Sequence, residues 1–320
     1  MHVLVTGGAG YIGSVATAGL LAAGHQVTVL DDLSSGHRDA VPASARFCEA
    51  GVTEAAAVLR GTPVDAVIHF AAKSLVGESM QEPARYWHDN VVGTLALLDA
   101  MREHGVTRIV FSSSAATYGD VVEMPIDEAV PCRPTSPYGA TKLAADLALA
   151  DYARSYGFAA VSLRYFNVAG ALNDERGSWG ERHRAETHLI PLALRAARNG
   201  TDRLALYGTD YPTPDGTGIR DYVHVVDLAD AHLKALDAAR SGEHQVINLG
   251  SGTGYSVREV LSTVEQVTGR AVPVQEQARR PGDPARLVAS NARAADVLGW
   301  HPSRDLEAMV RDAWHFTRSA

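Results

Sequence analysis

The 320-residue chain is poor in cysteine, in lysine and in long apolar runs. Its two cysteines, Cys48 and Cys132, lie far apart and in no CxxC pair. A disulfide framework and a structural zinc site are therefore not expected, and the thiols suit a reducing cytoplasm. No stretch reaches about 18 consecutive apolar residues, so no membrane-spanning segment is expected. The opening MHVLVTGGAGYIG runs straight into a glycine turn, and no signal peptide is expected there. Positive charge is also in deficit: 29 basic residues against 37 acidic ones give a net charge of −8. That balance argues against nucleic acid or an anionic membrane as the main partner. Only Lys73, Lys142 and Lys234 of the basic residues are lysine. What is present is ordinary, since 46% apolar and 21% charged residues exclude a disordered or fibrous chain.

The first half alternates short apolar segments with helical ones. Strands are expected over residues 2–6, 26–31, 65–70, 108–113 and 160–166, and helices over 12–23, 54–60, 83–104 and 137–156. Nearly continuous apolar strands separated by helices predict an α/β fold with a doubly wound parallel sheet. Trp87, Leu95, Leu98, Leu143 and Leu147 on the last two helices are mostly expected in the core. Past Asn167 the regularity breaks, and residues 171–184 and 208–218 read as long loops. Shorter units follow: strands over 245–249 and 272–275, helices over 257–268 and 306–317. The expected organisation is a Rossmann domain over 1–170 and a smaller α/β C-terminal substrate domain over 171–320. A return to the first domain is expected around 222–250, with a crevice between the two.

Gly7, Gly10 and Gly13 follow the first strand and open the first helix. Glycine permits the tight turn and close backbone approach to a pyrophosphate, which the helix N-terminus attracts. Asp31, beside Asp32, ends the second strand. A carboxylate there hydrogen-bonds ribose hydroxyls and repels a 2′-phosphate, which points to NAD as cofactor.

The fifth strand runs into Ser112-Ser113-Ser114, and Ser136-Pro137-Tyr138 opens a helix with an N-cap serine and a proline at its first position. Tyr138 and Lys142 then share a helix face. A phenol is a poor base near neutral pH, and a nearby ammonium together with a bound nicotinamide cation favours its phenolate. Ser114 can bridge a substrate hydroxyl and the tyrosine.

The segments TGGAGYIG, FSSSAATYGD (residues 111–120), SPYGATK (136–142), RYFNVAGA (164–171), GTDYPTPDGTGIRDYVHVVDLADAH (208–232) and RRPGDP (279–284) carry a resemblance. Over about residues 2–316 the chain resembles the extended short-chain dehydrogenase/reductase superfamily and, within it, the UDP-galactose 4-epimerase family. The resemblance implies a UDP-hexose bound across the crevice beside a permanently held NAD. Tyr138 would take the proton of the sugar 4-hydroxyl while hydride leaves C4, and the 4-keto sugar would turn over and be reduced on its other face. It also implies a homodimer formed through the 83–104 and 137–156 helices.

Carried over residue by residue, the catalytic group is Tyr138, Lys142 and Ser114. The cofactor would meet Gly7, Gly10, Tyr11, Ile12 and Gly13 at the turn, then Asp31 and Asp32. Phe70, Ala71, Ala72, Lys73 and Asn90 would follow, with Ser112, Tyr138, Lys142 and Tyr165 at the nicotinamide. The UDP-sugar would meet Ser114, Tyr138, Asn167, His188 and Leu189, then Ala205 and Tyr207 at the uracil, and Arg220, Arg280 and Asp283 at the diphosphate and ribose. Arg279 and Arg286 read equally well as surface charge. Departures from well-known members are Gly51 for an aspartate, Ser74 for a lysine beside Lys73, and His188 for an asparagine. Leu287 falls at the position that gates the sugar pocket. His183, His188 and His224 show no metal-ligand spacing with a nearby carboxylate or cysteine, so no metal is expected.

Two other readings compete. A nucleotide-sugar 4,6-dehydratase needs an acid/base pair after the strand-five hydroxyl, where this chain has Ala115 and Ala116. A non-catalytic NAD-binding sensor has no need of Ser114, Tyr138 and Lys142 together. Within epimerisation, UDP-pentoses, UDP-uronates and UDP-N-acetylhexosamines remain open as substrates.

Overall fold

A computed structural model describes residues 1–280 and 282–319 of the chain. Pro281, inside the 279–284 stretch quoted above, lies outside the described residues. Seven parallel strands form the central sheet: β1 (His2–Thr6), β2 (Gln26–Asp31), β3 (Arg46–Glu49), β4 (Ala66–His69), β5 (Arg108–Ser114), β6 (Ala159–Tyr165) and β7 (His244–Leu249). Their spatial order is β7-β6-β5-β4-β1-β2-β3. Both faces are covered, which is why the inner strands are largely apolar. Val3, Val5, Ile68, Val110 and Val161 pack toward Leu228, Ala231 and Ala235 of the Val225–Ala238 helix. Leu4, Val67, Ile109 and Phe111 face Leu97, Leu98, Met101 and Leu149 on the other side.

The expected 83–104 helix is broken into Pro83–Tyr86, a π-helical segment Trp87–Val92, and Gly93–Glu103. Of its apolar residues Leu98 is fully buried, but Trp87 and Leu95 are exposed, as is Leu147 on the Pro137–Tyr156 helix. The expectation that most of these residues are core is corrected: helical spacing marks an apolar face without saying what covers it. The expected loop over 171–184 contains an antiparallel hairpin, Ala171–Asp174 with Gly177–Gly180, in which Leu172 pairs with Trp179. Strand β3 was not expected, because its four residues are all at least partly exposed and carry two charges.

Beyond β6 the chain builds a smaller layer. Leu204–Tyr207 pairs in parallel with Val274–Gln277, and Ile219–Arg220 joins Tyr255–Ser256 and Arg286–Leu287. Helices Leu189–Asn199, Val257–Thr268 and Leu306–Ser319 pack around Leu194, Val260, Val264 and Met309. Among the described residues no helix is long and apolar enough to cross a membrane.

Candidate active site

A cavity of about 720 Å³ opens beyond the carboxyl ends of β1, β4 and β5, where the strand order reverses and such sheets receive ligands. Gly7, with φ of +71°, turns the chain so tightly that a Cβ there would lie 2.6 Å from the Ala71 nitrogen. A Cβ on Gly13 would lie 2.2 Å from the Gly7 carbonyl oxygen. Glycine alone lets this turn and the 70–73 loop meet while the helix N-terminus faces the cavity. This cradle fits a pyrophosphate.

Asp31, buried at the end of β2, accepts hydrogen bonds from the Ala9 nitrogen at 3.0 Å and the Leu33 nitrogen at 2.8 Å. Burial raises its pKa against the opposing pull of those two amides. Asp32 accepts from the Ser34 nitrogen at 2.9 Å, and Lys73 Nζ donates to the Ser34 hydroxyl at 2.9 Å. Gly10, Tyr11, Ile12, Phe70, Ala71 and Ala72 line the same end, as do Gly51 and Ser74.

Asn90 is placed differently. It sits buried in the π-helical segment, where its Oδ1 accepts from the Lys73 nitrogen at 2.7 Å. Its Nδ2 donates to the Lys73 carbonyl and to the Thr141 hydroxyl, both at 3.0 Å. Asn90 thus stands behind the cavity wall and braces the cofactor-side loop against the Tyr138 helix.

At the other end, the Pro137–Tyr156 helix starts from a Ser136 cap that accepts from the Gly139 nitrogen at 3.2 Å. This start aims Tyr138 and Lys142 into the cavity, opposite Ser112 and Ser114 on β5. Lys142 Nζ donates to the Ser112 carbonyl at 2.7 Å and lies 5.9 Å from the Tyr138 ring centre. Burial lowers the Lys142 pKa to about 8, against the opposing effect of Asp146. Burial raises the Tyr138 pKa, and a hydrogen bond with Ser114 opposes it. In the protein alone, with Lys142 5.9 Å from the ring, burial dominates the phenol; the lowered pKa expected from the sequence called for the nicotinamide cation as well as the lysine. Tyr165 meets the Ser112 hydroxyl in a short contact, and burial raises its pKa as well.

Asn167, His188 and Arg220 bridge from the large cavity into a second one of about 220 Å³, which Leu189, Ala205, Tyr207, Arg280 and Asp283 complete. Asn167 Nδ2 donates to the Asp221 carbonyl at 2.8 Å. Arg220 pairs with Asp283, and the Arg280 guanidinium stacks 4.0 Å over the Tyr207 ring. Arg279 stacks on Tyr211 at 4.3 Å and pairs with Asp210 at 2.7 Å. Leu287 lines the large cavity.

The reading of the histidines needs correction. His188 Nδ1 is 2.7 Å from Glu181 Oε1 and 2.8 Å from Glu186 Oε1, and His183 Nε2 is 3.2 Å from the same Glu181 oxygen. Burial pulls the His188 pKa down, but the two carboxylates outweigh it and raise it to about 10. The spacing Glu-x-His-x-x-Glu-x-His was the available signal, hidden in a segment read as loop. His224 stands apart from this group. It accepts from the Val226 nitrogen at 3.1 Å and meets Asp312 at 3.2 Å, as a helix cap.

The sequence also gave no sign of the buried pair beneath the site. Arg164 Nε and Nη2 donate to Asp146 Oδ2 at 3.0 and 2.8 Å, and Ser113 donates to the same oxygen at 3.2 Å.

Residues 3–250 match the NAD dependent epimerase/dehydratase family. The chain is 53% identical over 319 residues to a UDP-glucose 4-epimerase of Corynebacterium glutamicum, covering 99% of this chain and 96% of that one. It superposes on UDP-glucose 4-epimerase from Brucella ovis in complex with NAD with a TM-score of 0.93 and 46% identity, covering 98% of each chain. The UDP-Glc/GlcNAc 4-epimerase of Campylobacter jejuni gives a TM-score of 0.87 and 37% identity, over 100% of this chain and 99% of that one.

Proposed function

The chain belongs to the NAD-dependent epimerase/dehydratase family, and from that premise we propose that it interconverts UDP-glucose and UDP-galactose by epimerisation at C4. The observation that carries this is one cavity joining the glycine turn and Asp31 at one end to Ser114, Tyr138 and Lys142 at the other. NAD, when bound, supplies a hydride acceptor that also returns the hydride, so no net redox change results. Gly7, Gly10 and Gly13 would hold its diphosphate, Asp31 and Asp32 its adenosine ribose, and Tyr165, Ser112 and Lys142 its nicotinamide end.

Tyr138 takes the proton of the sugar 4-hydroxyl and returns it to the same oxygen once the sugar has turned over. The Ser114 hydroxyl, which lines the same cavity and opposes the effect of burial on the phenol, orders that exchange. The UDP moiety extends into the second cavity, with Arg220 turning from Asp283 toward the diphosphate and Arg280 beside Tyr207 closing over the nucleoside. Residues 1–170, rejoined by 222–250, serve the cofactor, and the remainder serves the UDP-sugar. Adding UDP-galactose to the purified protein and following UDP-glucose formation tests the reading; no conversion by NAD-loaded protein overturns it.

Assembly and location extend the same proposal. Trp87, Val92, Leu95 and Leu147 are 38–61% exposed on the two helices that flank the site, and a second copy of the chain covers them. Sedimentation of the wild type and of Leu147→Asp, dimer against monomer, tests this. Both cysteines are free, which suits the cytoplasm.

A further inference from the structure

We propose that Glu181, His183, Glu186 and His188 form a zinc site. One ligand atom from each lies within 4.8 Å of all the others. The His188 Nδ1 atom faces two carboxylate oxygens at once, and the Glu181 oxygen faces two imidazole nitrogens. A single N–H cannot serve both carboxylates fully. The Glu181 and Glu186 side chains are only 8% and 11% exposed, so two like charges share a region with little water. The carboxylates need positive charge between them, which a shared imidazolium proton supplies only in part and a metal ion in its place supplies to all four groups at once.

The donor set selects the ion. Two imidazole nitrogens and two carboxylate oxygens suit zinc, which is borderline in softness and four-coordinate. Calcium and magnesium prefer shells of oxygen alone, and softer ions prefer thiolates. Zinc holds nitrogen at about 2.0–2.1 Å and oxygen at about 2.0–2.2 Å, so neighbouring ligand atoms in its tetrahedron lie about 3.4 Å apart. The separations of 2.7, 2.8 and 3.2 Å fall just below that spacing, and all four atoms lie within 4.8 Å of one another. Small side-chain rotations bring the four into register.

The surroundings hold the ligands in place. Glu186 Oε1 accepts from the Thr187 and His188 nitrogens, each at 2.7 Å. His37 Nε2 meets the Arg182 carbonyl at 2.9 Å, and Arg182 pairs with Asp39, so the segment is fastened to the Rossmann side. With four protein ligands the site is closed and its role is structural. The ion ties the segment between the Gly177–Gly180 strand and the Leu189–Asn199 helix into a fixed wall of the cavity, whatever sugar the enzyme takes.

The test uses the full chain without a histidine tag, loaded with zinc chloride and dialysed against metal-free buffer. One zinc per chain is expected by elemental analysis, and X-ray absorption at the zinc edge should show four nitrogen or oxygen neighbours at about 2.0–2.1 Å, with imidazole scattering. His183→Ala with Glu186→Gln should weaken zinc binding by at least about tenfold, the low end for disturbing a metal's surroundings. Less than half an equivalent retained by the wild type, equal retention by the variant, or sulfur or six oxygen neighbours would overturn the proposal. If the variant does not fold, the wild-type absorption spectrum decides alone.

Discussion

Lys142 donates its hydrogen bond to the carbonyl of Ser112, at 2.7 Å, and not to the tyrosine four residues before it. The ammonium is thereby fixed to the end of β5, where it reaches the cofactor side of the cavity. Its influence on Tyr138 is through space, across 5.9 Å.

That burial has a pH signature. The folded chain releases the Lys142 proton near pH 8, whereas an unfolded chain holds it to about 10.4. Between these values the unfolded state binds more protons, so stability rises with pH by ~3 kcal/mol in total. Urea unfolding of wild type and Lys142→Met across this range should show the two curves diverging in that sense; parallel curves would refute the assignment.

Removing the phenol hydroxyl removes the base and leaves the fold. Tyr138→Phe should lower kcat by at least about a hundredfold, the usual scale of acid–base catalysis. Fluorescence titration should show NAD and UDP still bound. Near-normal turnover in this variant would sink the role given to Tyr138.

Leu287 lines the cavity, at the position proposed to gate the sugar. Leu287→Tyr should reduce any turnover of UDP-N-acetylglucosamine while sparing UDP-galactose, because added bulk there competes with an acetamido group. Comparing kcat/KM for both sugars checks this, and equal losses would count against gating.

The Arg164–Asp146 pair, 6% and 3% exposed at the side chains, supports the strands that carry Ser113 and Tyr165. Arg164→Met should destabilise the chain by about 3–5 kcal/mol by stranding the carboxylate. Adding Asp146→Leu should recover much of that loss, since no buried charge remains unpaired. Urea unfolding of the three variants measures both effects; no recovery in the double variant would mean that packing, not charge, dominates.

The sequence made the cofactor end legible because each part is local. Gly7 to Gly13 is one turn, Asp31 ends an apolar run, and Ser136 to Lys142 is one capped helix start. The Arg164–Asp146 pair was hidden because its partners are 18 positions apart, on a helix and a strand whose immediate neighbours, Ala145, Leu147 and Leu163, are apolar. The Glu181–His188 group was hidden for a different reason. Its side chains converge through an irregular backbone, which has no period for a pattern to reveal. The exposure of Trp87 and Leu95 on the broken helix was equally invisible: Leu95 and Leu98 are three positions apart, yet one is 38% exposed and the other buried.

Strand β7 pairs with β6 along its whole length, from His244 opposite Ala160 to Leu249 opposite Tyr165. The outermost strand of the sheet is thus delivered only after the chain has travelled through much of the second layer. A fragment ending near residue 170 would leave β6 with its hydrogen-bonding groups bare, a template for edge-to-edge aggregation. Neither lobe can be excised by a single cut, so truncation is a poor route to an isolated cofactor domain. A fusion that keeps 1–170 and supplies 222–250 through a linker would close that edge.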